Sequence, residues 1–208
     1  MPLPRFQNLD EPRRRAILTA AAEEFAEHGF AAASYNRIIE RAGISKGAMY
    51  YYFADKEDLF ATVLDTALAQ WFEHVGMPEP ARDAASFWAA CNETYARSVR
   101  FMLADRCNAS LCLAITRARE QSDGQAALAA LNEKMHAFAS ELVRHGRAVG
   151  AVRTDIPEEL MVQVALSLVD AGDRWLARHW TEMTPAAADA TAATMVDLLR
   201  RVASTEKS

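Results

Sequence analysis

Apolar positions divide the first third of the chain into short helical runs. Ile17, Leu18, Ala21 and Phe25 share one face at helical spacing, and Gly29, just after His28, predicts where that helix stops. Ser34 opens YNRIIERA, which ends at Gly43. Ser45 opens KGAMYYYF, and Asp55, with Asp58 three residues on, opens KEDLFATVLDTALAQWFEHV. Four helices are thus expected within about seventy residues, the second and third very short. The prolines of MPEP at 77–80 break the pattern; beyond them the periodicity predicts helices over 81–104, 107–121, 125–149, 157–181 and 185–203. Asp155 with Glu158, and Thr184 with Pro185, mark the starts of the last two. No stretch sustains strand-like alternation. The expected fold is therefore all-α, about nine helices, with a compact N-terminal domain at 11–60 and a larger helical body at 61–208.

Residues 50–52 are three consecutive tyrosines. Neighbouring helical side chains diverge by ~100°, so one core cannot take all three rings. With Met49 and Phe53 turned inward, Gly47, Ala48 and Tyr51 form the outward face, and Tyr50 and Tyr52 border it. Two short helices joined by the tight AGIS turn have the layout of a helix-turn-helix, whose second helix lies in the DNA major groove. The outward face suits that place. Gly47 and Ala48 are small enough for the backbone to approach base edges, Lys46 adds charge beside free helix N–H groups, and the tyrosines offer hydroxyls to phosphates and ring faces to thymine methyls. Lys56 is placed for a second phosphate, Ser34 presents a hydroxyl, and Asn36 and Arg37 occupy the first turn of the preceding helix.

Charge and composition bound the alternatives. The 208 residues are 51% hydrophobic and 25% charged, the balance of a globular protein. No run approaches the ~20 apolar residues of a membrane span, and the start has no signal-peptide core, so a cytoplasmic protein without a membrane partner is expected. The net charge of -5 counts against nucleic acid only as a sum: residues 1–53 balance seven basic against six acidic side chains, and the acidity lies further on. Cys91, Cys107 and Cys112 are odd in number and lack C-x-x-C spacing, and His28, His74, His136, His145 and His179 are scattered. No metal, cofactor or disulfide framework is expected. A helical hydrolase or redox enzyme would need a cysteine and a histidine brought together, which no local motif does, so no catalytic residue is assigned.

The stretch from Ala16 to Leu64, and most closely AGISKGAMYYYFADKEDLF, resembles the N-terminal signature of the tetracycline-repressor-like (TetR/AcrR) transcriptional regulators. It combines Phe25 and Gly29, a Ser opening the second helix, the G-I-S-x-G turn, a Y-x-x-F and a following K-E-x-L. Ile39, where alanine is frequent, and Tyr52, at a variable position, depart from the commonest pattern. The resemblance implies a homodimer whose first helices bind double-stranded operator DNA and whose body binds a small-molecule effector and the sister subunit. It places DNA contacts at Ser34, Asn36, Arg37, Ser45, Lys46, Gly47, Ala48, Tyr50, Tyr51, Tyr52 and Lys56. Arg13, Arg14 and Arg15 are either further backbone contacts or a solvated charge run. Repression by operator occlusion is the mode this implies, with an activator or a ligand-independent regulator of the same fold the alternative.

In the body, Trp88, Tyr95, Val99 and Met102 form a stripe with Cys91 and Asn92 beside it; such a stripe is either core or the wall of an apolar effector cavity. Cys112, Met135, Phe138, Leu168 and Trp175 are expected to complete that cavity. Asp170 and Arg174 read either as a surface or interface i, i+4 ion pair or as placing a carboxylate toward a ligand. The dimer interface is expected on the last two helices, from Met195, Leu198, Leu199 and Val202 together with Val169, Leu176 and Trp180.

Overall fold

The structure, a computed structural model, describes residues 4–104, 106–121 and 124–204. Among them there is no strand. The helices are α1 (Pro4–Gln7), α2 (Glu11–Ala32), α3 (Tyr35–Ala42), α4 (Lys46–Tyr52), α5 (Lys56–His74), α6 (Ala84–Ala104), α7 (Arg106–Gln121), α8 (Gln125–Ala148), α9 (Glu158–His179) and α10 (Pro185–Ala203), with a 3₁₀ turn at Trp180–Glu182. The fold is all-α, as the periodicity requires.

Local chemistry sets most boundaries. Ser34 Oγ accepts the Arg37 N–H (3.3 Å) at the start of α3, and Ser45 Oγ accepts the Ala48 N–H (3.1 Å) at the start of α4. Between them Gly43 ends α3 at φ 65°, a left-handed conformation that glycine adopts without steric cost. Thr184 caps α10 through the Ala187 N–H (3.2 Å), with Pro185 in the first turn. Three boundaries differ from expectation. Gly29 leaves helical geometry (φ 74°, ψ 171°), yet the chain resumes a helical turn to Ala32. α6 begins at Ala84, because Asp83 accepts the Ser86 N–H (2.8 Å) and fixes the start there. Asp155 does not cap α9; its carboxylate accepts from Arg153 Nε (2.6 Å), and Pro157 occupies the cap position.

The packing forms two compact units. One takes the described residues up to Gln70 together with those from 106 to Leu131; the other takes Trp71–Ala104 and the residues from Asn132 onward. In the first, Ile17, Phe25, Ile38, Met49, Phe53, Leu59 and Phe60 are fully buried, with Phe25 edge-on to Phe60 at 4.7 Å. α7 packs along α2, and Arg117 donates to the carbonyls of Ala26 and Glu27, just before the Gly29 break. Lys56 Nζ donates to Ala31 O (2.9 Å) and Ala33 O (3.2 Å) just after it, above the Phe30 ring. Two cations therefore serve the interrupted end of α2, where carbonyls need donors. The first unit includes α7, which lies far along the chain from the helix-turn-helix.

The second unit surrounds Phe87, Trp88, Val143, Val152, Met161, Val162 and Val196. α6 and α10 lie along each other, tied at the surface by Arg100 Nε to Asp189 (2.9 Å). Gly172 lets α9 approach closely: a Cβ there would meet Met195 Cε at 2.6 Å and the Tyr95 hydroxyl at 3.0 Å.

Candidate functional site

α4 presents two unlike faces. Met49 and the following Phe53 are fully buried, whereas Tyr50 and Tyr51 remain 51% and 49% exposed. Tyr52 is half-buried, its ring 5.5 Å from that of Tyr51. Lys46 is exposed, with Nζ 6.0 Å from the Tyr50 ring centroid, and makes no ion pair among the described residues. A Cβ on the exposed Gly47 would meet only Ser45 Oγ, at 4.0 Å. Packing therefore gives no reason for a glycine in a helix, where it costs roughly 0.5–1 kcal/mol relative to alanine. Asn36 is exposed and Ala48 half-buried. Ser34 and Ser45 use a hydroxyl lone pair in capping and keep the O–H for another acceptor.

Two expected contacts are turned back into the fold. Arg37 donates from Nε (2.8 Å) and Nη2 (2.5 Å) to Glu24 Oε1, and from Nη2 to Ala32 O (3.3 Å). Glu24 is fully buried and also accepts the Ser34 N–H at 2.8 Å. Lys56 is the carbonyl donor described above. In this arrangement both cations hold the domain together, because their partners offer fixed acceptors at short range. Arg41 is likewise bound, to Glu27 at 2.8 Å and to Glu24 at 3.7 Å.

Sequence reasoning left three residues unmarked. Tyr35 lies beside Tyr50 (5.3 Å between centroids), and burial pushes its hydroxyl pKa well above the ordinary value. Arg5 and Phe6, in α1, contact the tyrosine helix. None belongs to a periodic stripe that would have signalled it. Glu24, Glu27 and His28 bring one potential metal ligand each within 4.8 Å of one another, but Arg37 and Arg41 already neutralise both carboxylates. That donor set suits an ion-pair network better than a cation.

Residues 17–63 match the sequence profile described as bacterial regulatory proteins, tetR family. The HTH-type transcriptional repressor AcnR of Corynebacterium diphtheriae is 40% identical over 74 residues, 34% of this chain and 39% of that protein. The HTH-type transcriptional regulator HbdR of Aromatoleum sp. is 25% identical over 178 residues, 83% of this chain and 72% of that protein. The likeness to the tetR family at the level of sequence profile lies in residues 17–63, which hold the helix-turn-helix. The chain's fold matches that of the transcriptional regulator FadR from Bacillus subtilis in complex with stearoyl-CoA, with a TM-score of 0.72 and 17% identity, covering 89% of this chain and 96% of that one. The alignment with AcnR spans about two fifths of that repressor, so the likeness there is of one domain. TetR-family proteins are regulators and not enzymes. Among the described residues, no helix is long and apolar enough to cross a membrane.

The expected effector residues divide between environments. Trp88, Val99 and Met102 are buried, Trp88 within the core of the second unit. Cys91 and Tyr95 pack against that core; burial pushes the Cys91 thiol up to about 12, and the Tyr95 hydroxyl donates to Asp173 at 3.2 Å. Asn92, Met135, Phe138 and Leu168 are half-buried, with Phe138 edge-on to Trp71 at 5.3 Å. Cys112 belongs to the first unit, on α7. Trp175 points out, 48% exposed and stacked on His179. An open groove of about 330 Å³ runs between α6 and α10, lined by Ala85, Trp88, Ala89, Val196, Asp197 and Arg200.

The expected interface residues divide too. Leu198 and Val202 are exposed at 43% and 42%, while Val169, Trp180, Met195 and Leu199 are half-buried. Leu176 is only 1% exposed, so its side chain serves the subunit's own core. The i, i+4 ion pair of Asp170 and Arg174 is present.

Proposed function

We propose that this protein is a sequence-specific DNA-binding transcriptional regulator, acting as a repressor that binds a palindromic operator as a homodimer and leaves it when a small, largely apolar effector is bound. The reading rests on α4, which buries Met49 and Phe53 completely while leaving Lys46, Gly47, Tyr50 and Tyr51 at the surface. A duplex offers thymine methyls to the exposed parts of these rings and phosphates to their hydroxyls. The unconstrained Gly47 supports the same occupant, since it permits backbone approach to base edges.

The dimer reading is supported by apolar side chains on α9 and α10 that the single subunit leaves in solvent: Trp175, Leu198 and Val202. A two-fold pair of recognition helices would read half-sites ~34 Å apart. The FadR likeness supports an effector with an apolar chain, and α5, within which the division between units falls, is the proposed link between effector and DNA. Differential binding of ~1–3 kcal/mol between the two conformations would change operator affinity about five- to 150-fold.

The test is selection of bound duplexes from a random pool, followed by affinity measurements over a salt series. Lys46→Ala should weaken binding and shallow the salt slope by about one counterion, while Tyr51→Ala should alter the preferred sequence. Leu198→Glu should give a monomer in sedimentation and abolish tight binding. Wild-type behaviour of folded Lys46→Ala and Tyr51→Ala would remove α4 as the reading surface, and a selected site without an inverted repeat would remove the dimer.

A further inference from the structure

We propose that α1 is part of the DNA-reading surface, with Arg5 a DNA contact held in place over Tyr51; this rests on the assignment of α4 as the reading helix. Two consecutive residues of α1 have opposite environments. Phe6 is 3% exposed and wedged against the rings of Phe53 (4.7 Å) and Tyr52 (6.3 Å). Arg5 is exposed, and its guanidinium carbon stands 4.3 Å from the centroid of the Tyr51 ring. The inward ring thus fixes α1 on α4, and the outward cation covers the residue that faces away from the core. The connection to α2 is ordered by Leu9 N–H to Phe6 O (3.2 Å), by Arg14 to Gln7 O (3.4 Å) and by Asp10, which caps α2 through the Arg13 N–H.

The disposition of the other cations explains why Arg5 matters. Arg37 and Arg41 are bound to Glu24 and Glu27, Lys56 to two carbonyls, Arg13 to Asp10 and Arg14 to Glu11. Among the described residues of α1 and α4, Lys46 and Arg5 carry positive charge with no carboxylate partner. DNA affinity is dominated by phosphate neutralisation, and a face of neutral tyrosines with a single lysine is poor in it. An arginine stacked on tyrosine keeps its edge N–H groups directed outward, and its five donors suit phosphate oxygens or an acceptor-lined groove. Docking on a ring also removes mobility that an exposed arginine would otherwise lose on binding.

The experiment uses the full chain and a duplex selected by the wild-type protein from a random pool. Arg5→Ala is expected to keep its melting temperature, to bind about tenfold more weakly and to lose about one unit of salt slope. Arg5→Lys should keep the slope and recover part of the affinity, since charge remains while planar stacking is lost. Phe6→Ala keeps the charge but frees it from Tyr51, and should weaken binding as Arg5→Ala does; Phe6→Leu, which preserves burial, should restore it. If Arg5→Ala binds with wild-type affinity and slope while Lys46→Ala does not, α1 is only a cover for the core and the proposal is overturned. If Lys46→Ala and Tyr51→Ala also bind as wild type, the failure is that of α4 as the reading helix.

Discussion

Arg37 directs both Nε and Nη2 at one oxygen of Glu24, a carboxylate with no solvent exposure. This pair joins α2 to α3, and Ser34 adds its backbone N–H to the same oxygen. Burial pushes the Glu24 carboxyl pKa up, but the Arg37 hydrogen bonds, the Ser34 N–H and the nearby charges outweigh it, so the group lies below its ordinary 4.5. A lowered folded-state value means that the unfolded chain binds more protons. The stability from this pair is therefore complete above about pH 4.5 and is lost as pH falls through the folded value. Urea unfolding at pH 7 should show Glu24→Gln weaker by about 2–3 kcal/mol, less than the roughly 3–5 kcal/mol for breaking a fully buried pair because Arg37 is partly solvated. The gap between wild type and variant should narrow on acidification. A gap that stays constant to pH 3 would show that the charge of Glu24 is not what holds α3.

Lys56 gives a stability prediction that separates it from Lys46. Lys56→Met keeps the alkyl stem over Phe30 but removes the donor from Ala31 O and Ala33 O, at a cost of about 1–2 kcal/mol. Its melting temperature should fall while its salt slope for DNA stays that of the wild type. Lys46→Ala should do the reverse. An unchanged melting temperature with a shallower slope in Lys56→Met would return this lysine to the DNA surface.

The contrast between these lysines shows where the sequence is legible. Ser34, Ser45 and Thr184 act on N–H groups three residues away, so their capping roles follow from local spacing alone. Met49 and Phe53 likewise follow from helical periodicity, as does the exposure of Tyr50 and Tyr51. Arg37 and Lys56 instead find partners 13 and 25 residues back, at the kinked end of α2, which no local rule specifies. The same holds for Trp175 and Leu176: adjacent positions on α9 differ by ~100°, and only the packed neighbours decide which one turns inward. α1 was illegible because a single turn carries no period.

Two helical glycines should respond differently to alanine. At Gly146 a Cβ would meet Val152 Cγ2 at 2.5 Å and Phe87 Cζ at 2.7 Å, both held in the core of the second unit. Overpacking there should cost about 1–3 kcal/mol, more than the gain in helix propensity. At Gly172 the nearest atom is the terminal methyl of Met195, which can swing aside, so Gly172→Ala should lie within about 1 kcal/mol of wild type. Thermal unfolding of the two variants checks this; a larger loss at Gly172 would mean that Met195 is itself locked, by Tyr95 or by a second subunit.

The effector reading requires residues whose change alters the ligand response without unfolding the protein. Trp88 is unsuitable: it is 8% exposed in the core, and Trp88→Ala should cost about 3–5 kcal/mol of a total near 5–15, so any lost response would reflect unfolding. Tyr95 and Met135 are better probes. Tyr95→Phe removes only the hydroxyl bonded to Asp173, at about 1 kcal/mol, and Met135 is half-buried on α8. With ligands found by thermal shift and a duplex selected by the wild type, both Tyr95→Phe and Met135→Ala should bind effector-free DNA normally and shift the ligand concentration that releases it by about threefold or more, since a lost contact of ~1 kcal/mol changes an equilibrium about fivefold. Wild-type release curves in both variants would exclude these faces of α6 and α8 from the effector site. The groove between α6 and α10 would then be the next place to test, through Ala89→Leu, which narrows it from an exposed position and leaves Trp88 in place.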